Sequence, residues 1–202
     1  MAQSEHIGDG SADTFPQLLL RHARQQGNRT AIREKDLGIW QSWTWAQVAN
    51  EVRALACGLA AQGFRRGMNL AIIGDNRPRL YWSFAAAQCL GGVPVPMYQD
   101  AVAQEMLFVL DNGEIEFAIV EDQEQVDKLL EILPQYPKLK HIFYDDPRGL
   151  RNYNQPQLMR ADGFEIDQAN TLVDRVAQQI KLALAPELVD PQPGQVPGFA
   201  LA

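Results

Sequence analysis

The sequence predicts an α/β protein: a partial doubly wound parallel sheet with helices on both faces, then a C-terminal helix and an irregular tail. Three observations carry this. Residues 70–73, 93–95, 117–120 and 141–144 are short apolar runs rich in Ile, Val and Phe, the pattern of strands covered on both faces. Segments with apolar residues at helical spacing separate them, and strand–helix alternation implies a parallel sheet between helical layers. Caps and breakers such as Gly91-Gly92, Asn112-Gly113 and Pro134 fall at the junctions.

Taken in order, residues 1–13 are polar and Gly-containing and read as frayed. Thr14 caps a helix over 15–26, stopped by Gly27-Asn28. Residues 30–34 and 39–43 read as two strands around the turn Asp36-Leu37-Gly38. Thr44 with Gln47 three positions on forms a capping box for a helix over 45–61, whose Val48, Val52, Leu55, Cys57 and Leu59 make one broad apolar side. Residues 68–98 then read as strand, helix, strand, with Asn76 as the expected cap, Pro78 at the first helical position and the helix over 79–90. The crossover should be right-handed. A helix over 102–110 with Met106, Leu107 and Leu110 inward precedes the strand at 117–120. Next comes a helix carrying Val126, Leu129, Leu130 and Leu133, then the strand at 141–144. From Asp145 the chain reads as a loop with Pro147, Gly149 and Pro156. One amphipathic helix follows (Leu172, Val173, Val176, Ile180, Leu184), then an irregular end with prolines at 186, 191, 193 and 197.

Composition excludes several function classes. With 46% hydrophobic and 21% charged residues the chain is ordinary for a globular protein. A net charge of −7 with no basic stripe argues against binding a nucleic-acid backbone, so Trp40, Trp43, Trp45 and Trp82 read as core packing instead of base-stacking platforms. Cys57 and Cys89 lie in apolar helical patterns and read as buried thiols in a reducing compartment, without metal-ligand spacing. No basic-then-apolar leader opens the chain and no apolar run reaches the roughly 20 residues a span requires, so a cytoplasmic protein without a transmembrane segment is expected. His22 has no acidic or thiol neighbour in sequence and reads as a helix-surface residue before a ligand or base.

Trp43-Thr44-Trp45, Gly63 and Gly67 flanking a turn, Gly74-Asp75-Asn76-Arg77-Pro78, and Gly91-Gly92-Val93-Pro94-Val95-Pro96 occur in that order. The segment carrying them, 43–100, resembles the N-terminal part of the AMP-forming adenylate-forming enzymes, and among them most closely the long-chain acyl-CoA synthetases. The resemblance covers about 15–153. On it, residues 14–153 are expected to form the N-terminal portion of an AMP-binding synthetase domain and 154–202 a diverged or unrelated tail. It implies ATP-dependent conversion of a fatty acid to acyl-AMP and then to acyl-CoA, with ATP, magnesium and coenzyme A as cofactors of the full-length family. The family's Ser-Gly-Thr-Thr-Gly-x-Pro-Lys-Gly phosphate loop and its later Thr-Glu, ribose Asp and Lys are absent from this chain. No catalytic, cofactor-binding or metal residue is therefore assigned. Fatty acid and coenzyme A are partners by resemblance only, and the chain alone is expected to be inactive.

Two local features remain as alternatives. Gly74 to Arg79 joins a strand to a helix, where amides and two arginines could hold an anion, although capping accounts for Asn76 and Pro78. The pairs Glu121-Asp122 and Asp145-Asp146 could hold magnesium or share a proton, and otherwise read as solvated caps. The tail helix over 167–185 offers an apolar side for self-association, the basis of a rival expectation: a noncatalytic binding or assembly module reusing the scaffold.

Overall fold

The computed structural model describes residues 14–163; the expected frayed start and tail helix lie outside them. Helix α1 (Phe15–Gln25) begins at Thr14, whose hydroxyl accepts from the Gln17 amide while the Gln17 side chain accepts from the Thr14 amide. Strands β1 (Thr30–Asp36) and β2 (Ile39–Thr44) form an antiparallel hairpin. Helix α2 (Trp45–Ala61) starts from the reciprocal Thr44–Gln47 box that the sequence indicated, and buries Val48, Val52, Leu55, Cys57 and Leu59.

The main sheet follows: β3 (Asn69–Ile73), α3 (Pro78–Cys89), β4 (Val93–Met97), α4 (Ala103–Asn112), β5 (Phe117–Val120), α5 (Gln123–Ile132), β6 (His141–Tyr144) and β7 (Leu158–Arg160). All five strands are parallel, in the order β4-β3-β5-β6-β7. Because successive side chains alternate across a strand, the sheet splits its apolar residues between two cores. Leu70, Ile72, Phe117, Ile119 and Phe143 face α2 and α3, while Ala71, Ile73, Ala118, Val120 and Ile142 face α4 and α5. Continuous apolar strands with a helical layer on each side are the arrangement the sequence predicts.

Two local expectations are corrected. The α3 N-cap is Arg77, with no side-chain capping bond; Asn76 instead accepts at 3.3 Å from the Tyr81 hydroxyl, while Pro78 holds the first helical turn as expected. The chain after Asp145 returns to the sheet: β7 pairs with β6 from Ile142↔Leu158 to Tyr144↔Arg160, so sheet pairing continues beyond Tyr153. A three-residue strand without a crossover helix leaves no periodic signal to read.

The opposite edge is blunted. Val93 donates its amide to Met68 at 2.9 Å, so alternation turns positions 94 and 96 outward, and both are proline. An outer edge without N–H groups there offers a poor template for another strand.

Candidate functional site

Beyond the carboxyl ends of β3 and β5 the chain leaves in opposite directions, into α3 on one face and α5 on the other. This divergence is where open parallel sheets form a ligand crevice. The three sequence candidates meet here. Gly74 to Arg79 follows β3, Glu121-Asp122 follows β5 and Asp145-Asp146 follows β6; sequence alone left them separate.

Side chains close the crevice. Glu121, 14% exposed, accepts from the Asp75 amide at 2.5 Å and from Arg77 Nε at 2.9 Å. Arg77 also donates to Glu34 of the hairpin at 2.8 Å. Both partners hold the Arg77 guanidinium protonated far above any working pH, the Glu34 bond being the larger cause. Gly74 makes the approach feasible: at φ +149° it occupies backbone space that L side chains rarely adopt, and a Cβ there would stand 2.6 Å from the Glu121 Cβ. Gln99 donates to the Asp75 side chain at 3.0 Å, tying in the loop after β4.

Arg79 is likewise committed, to Asp145 at 2.9 Å and Glu51 of α2 at 3.4 Å, with its guanidinium 5.1 Å from the Trp82 ring centre. Burial pushes the Asp145 carboxyl above its ordinary range, with Arg79 partly opposing it and Asp162 and Asp146 adding to it. The Asp146 and Asp162 carboxyls go the other way, lowered chiefly by bonds from Arg148 and Arg160 respectively. Asp122 accepts from the Gln125 amide at 3.3 Å and caps α5.

This arrangement is an ion-pair lattice that ties hairpin, α2 and three strand ends together. Both arginines proposed as anion ligands are taken by carboxylates of the chain itself. No group of three His, Cys, Asp or Glu among the described residues is disposed to hold a metal. The residues present do not fit a magnesium–nucleotide complex. Glu34 and Glu51, essential to the lattice, were missed by sequence reasoning; each is one charge among many on a strand or helix, and only the hairpin's fold-back brings Glu34 near Arg77.

Beside the lattice lies an open groove of about 470 Å³ between α3 and the end of β4, floored by Ile72, Leu80, Phe84 and Pro96, with Tyr81 and Tyr98 at its rim. It carries Asp75 and Asp100 but no nucleophile. Elsewhere, Cys57 and Cys89 are buried free thiols; burial pushes Cys89 up to about 11, which keeps it unreactive. His22 stacks on Trp45 at 4.6 Å and pairs with Gln26 at 3.3 Å. Trp82 and Trp43 pack edge to face at 5.6 Å, whereas Trp40, expected in the core, is 65% exposed.

Comparison with known proteins gives this scaffold a context. The chain is 28% identical over 129 residues to a long-chain-fatty-acid–CoA ligase of Xenopus laevis, a match covering 64% of this chain and 18% of that protein. It is 33% identical over 107 residues to an uncharacterized protein of Mycobacterium tuberculosis, covering 50% of this chain and 61% of that one. Among solved structures, acetoacetyl-CoA synthetase from Streptomyces lividans shares the fold with a TM-score of 0.66 at 20% identity, over 74% of this chain and 24% of that chain. The chain thus spans about a fifth of the length of the ligases it first matches, 18% and 22%. No helix among the described residues is long and apolar enough to cross a membrane. The AMP-binding enzyme family matches residues 19–182, most of the chain and nearly all of its described fold, and the protein belongs to that family.

Proposed function

We propose that this polypeptide supplies the N-terminal scaffold of a cytoplasmic long-chain fatty acid–CoA ligase and is catalytically inactive by itself. The carrying observation is the closed crevice. Where an open parallel sheet would admit a nucleotide, Glu121 takes the Asp75 amide and Arg77, and Asp145 and Glu51 take Arg79, so both guanidiniums of the loop are already paired with carboxylates. Acyl-AMP formation needs phosphate charge neutralised by donors or a cation in the transition state. In this family those groups come from the phosphate loop and later motifs, none of which is in this sequence. ATP, magnesium, coenzyme A and fatty acid therefore belong to the reaction of a full-length ligase, with residues 14–153 and the strand β7 that extends their sheet as its N-terminal portion and the chain beyond as a diverged tail.

The test has two arms. The pure chain, made in a host lacking its own fatty acid–CoA ligase, is assayed for fatty-acid-dependent ATP–pyrophosphate exchange, and none is expected; exchange proportional to chain concentration overturns the inactivity. Residues 14–163, which include β7, are also grafted in place of the matching segment of a curated relative. Retained ligase activity is expected of the chimera, and a folded but dead chimera counts against the scaffold reading.

A second reading, a noncatalytic assembly module, is favoured by one observation: the uncharacterized mycobacterial relative is matched over 61% of its length, against 18% for the Xenopus ligase, so that relative is itself far shorter than the ligases. Light scattering separates the readings. A discrete dimer lost on deleting residues 167–185 supports assembly, and a folded monomer counts against it.

A further inference from the structure

The β1–β2 hairpin is anchored at its base and bare at its tip. Ala31, Ile32 and Trp43 pack on the core, and Glu34 is pinned by Arg77. Beyond them Leu37 is 87% exposed, and Ile39 and Trp40 are each 65% exposed. Three large apolar side chains on four consecutive residues lose nothing by exposure only if something else covers them.

The turn makes the same point through a different quantity. Asp36 pairs with Ile39, so Leu37-Gly38 is a two-residue connection, and both residues have positive φ, +47° and +81°. Such turns favour Asn-Gly or Asp-Gly, because a side chain larger than these is strained there. A leucine at this position is unfavourable both in backbone conformation and in hydration, and a strained residue of this kind is a signature of functional surfaces.

Charge identifies the cover. Directly opposed residues of an antiparallel pair share a face, and the register opposes Lys35 to Trp40 and Arg33 to Ser42. Arg33 and Lys35 thus lie on the Trp40 face, and neither forms an ion pair among the described residues, in a chain whose net charge is −7. Asp36 is the one acid at the tip's edge, opposite Ile39. Leucine and isoleucine at an apex, a tryptophan beside them and two cations one step behind match the layering of a bilayer interface: acyl region, interfacial aromatic, anionic headgroups.

We propose that the hairpin tip docks the protein onto an anionic phospholipid surface, with Leu37, Ile39 and Trp40 entering the interface and Arg33 and Lys35 reaching the headgroups. The surface is distinct from the ligase reading in its apolar part, since Leu37, Ile39 and Trp40 line neither the crevice nor the groove, while Arg33 and Lys35 stand at the hairpin's side of a shallow cavity shared with Glu34, Asp75, Asn76 and Arg77.

The full chain is sedimented with vesicles of phosphatidylcholine alone or mixed with phosphatidylserine, and the Trp40 emission, taken as the difference between the wild type and Trp40→Gln because the chain has four tryptophans, is followed with brominated lipids as quenchers. Binding to the mixed vesicles is expected, with Trp40 blue-shifted and quenched. The double variant Leu37→Asn/Trp40→Gln should bind at least tenfold more weakly, because each large apolar side chain is worth about one decade or more of partitioning. Arg33→Gln/Lys35→Gln should lose roughly fivefold per charge on the anionic vesicles and little on neutral ones. Leu37→Asn relieves the turn, so its thermal midpoint should be unchanged or raised, which separates lost docking from misfolding. Several outcomes overturn the proposal: no cosedimentation, binding undiminished in the Leu37→Asn/Trp40→Gln variant, binding that depends on residues 167–185 instead, or a lipid-free self-association that the same double substitution abolishes.

Discussion

The lattice reading makes a quantitative claim about Arg77 and Glu121. Arg77 makes two ion pairs, but its side chain is 40% exposed, so solvent screening limits each to the upper part of the surface range, and Arg77→Ala should cost about 1–2 kcal/mol. Glu121 is only 14% exposed and also accepts from the Asp75 amide. Removing it strands a backbone donor as well as a guanidinium, so Glu121→Ala should cost more, about 2–3 kcal/mol. The two losses share one contact, so the double variant should be less destabilised than the sum by roughly 1 kcal/mol. For a domain of this size each kcal/mol moves the thermal midpoint by about 2–4 °C, well within resolution.

The assay is urea unfolding followed by tryptophan fluorescence for the wild type, both single variants and the double, with ATP titrated calorimetrically into the wild type and Arg77→Ala. Additive losses would remove the contact as a source of stability. An ATP affinity in the wild type that vanishes in Arg77→Ala would refute the reasoning outright, because it would make the arginine a phosphate ligand instead of the plug of the crevice.

Other consequences follow from the same geometry. Gly74→Ala puts a Cβ 2.6 Å from that of Glu121 in a left-handed backbone conformation, and should cost about 2–4 kcal/mol by urea unfolding. Asp145 and Asp162 should respond oppositely to pH. The raised Asp145 carboxyl means that the native state holds the extra proton, so its contribution to stability falls as pH climbs from the ordinary value of 3.8 to its native value. The lowered Asp162 carboxyl contributes stability above the ordinary value and loses it as pH falls through the native one. As pH rises, Asp145→Asn should therefore gain on the wild type above the ordinary value of 3.8, while Asp162→Asn should lose ground to it below that value, and parallel trends in chemical denaturation would contradict both assignments. Replacing Pro94 and Pro96 by Val restores two outward amides on the β4 edge. Concentration-dependent association should rise in light scattering, and an unchanged monomer would show that the prolines do not guard that edge.

What could be read from the sequence depended on how local each cause was. The Thr44–Gln47 box spans one turn and was legible. So were the strands at 117–120 and 141–144, because burial on both faces leaves an apolar run regardless of partners. Strand β7 was not, since three residues carry no period and its warrant is a pairing with β6. Asn76 was misassigned because a polar residue before proline looks like a cap, whereas its side chain is taken by Tyr81. Trp40 was placed in the core on composition, although its place two residues beyond the Leu37-Gly38 turn leaves the core no way to reach it.

The crevice shows the same dependence at the level of function. Read singly, Gly74 to Arg79 is a plausible anion loop and Glu121-Asp122 a plausible metal pair, and each reading assumes that its charges are free. Bringing β3 and β5 side by side makes the two features each other's partners, Arg77 to Glu121 at 2.9 Å, and removes the chemistry that either suggested alone. Complementary charges at the adjacent ends of parallel strands are therefore weak evidence for a ligand site: the topology that creates the crevice also brings into reach the groups that fill it. A functional claim at such a place requires a charge left over after pairing. In this chain neither arginine of the strand ends meets that criterion, whereas Arg33 and Lys35 on the hairpin form no ion pair among the described residues.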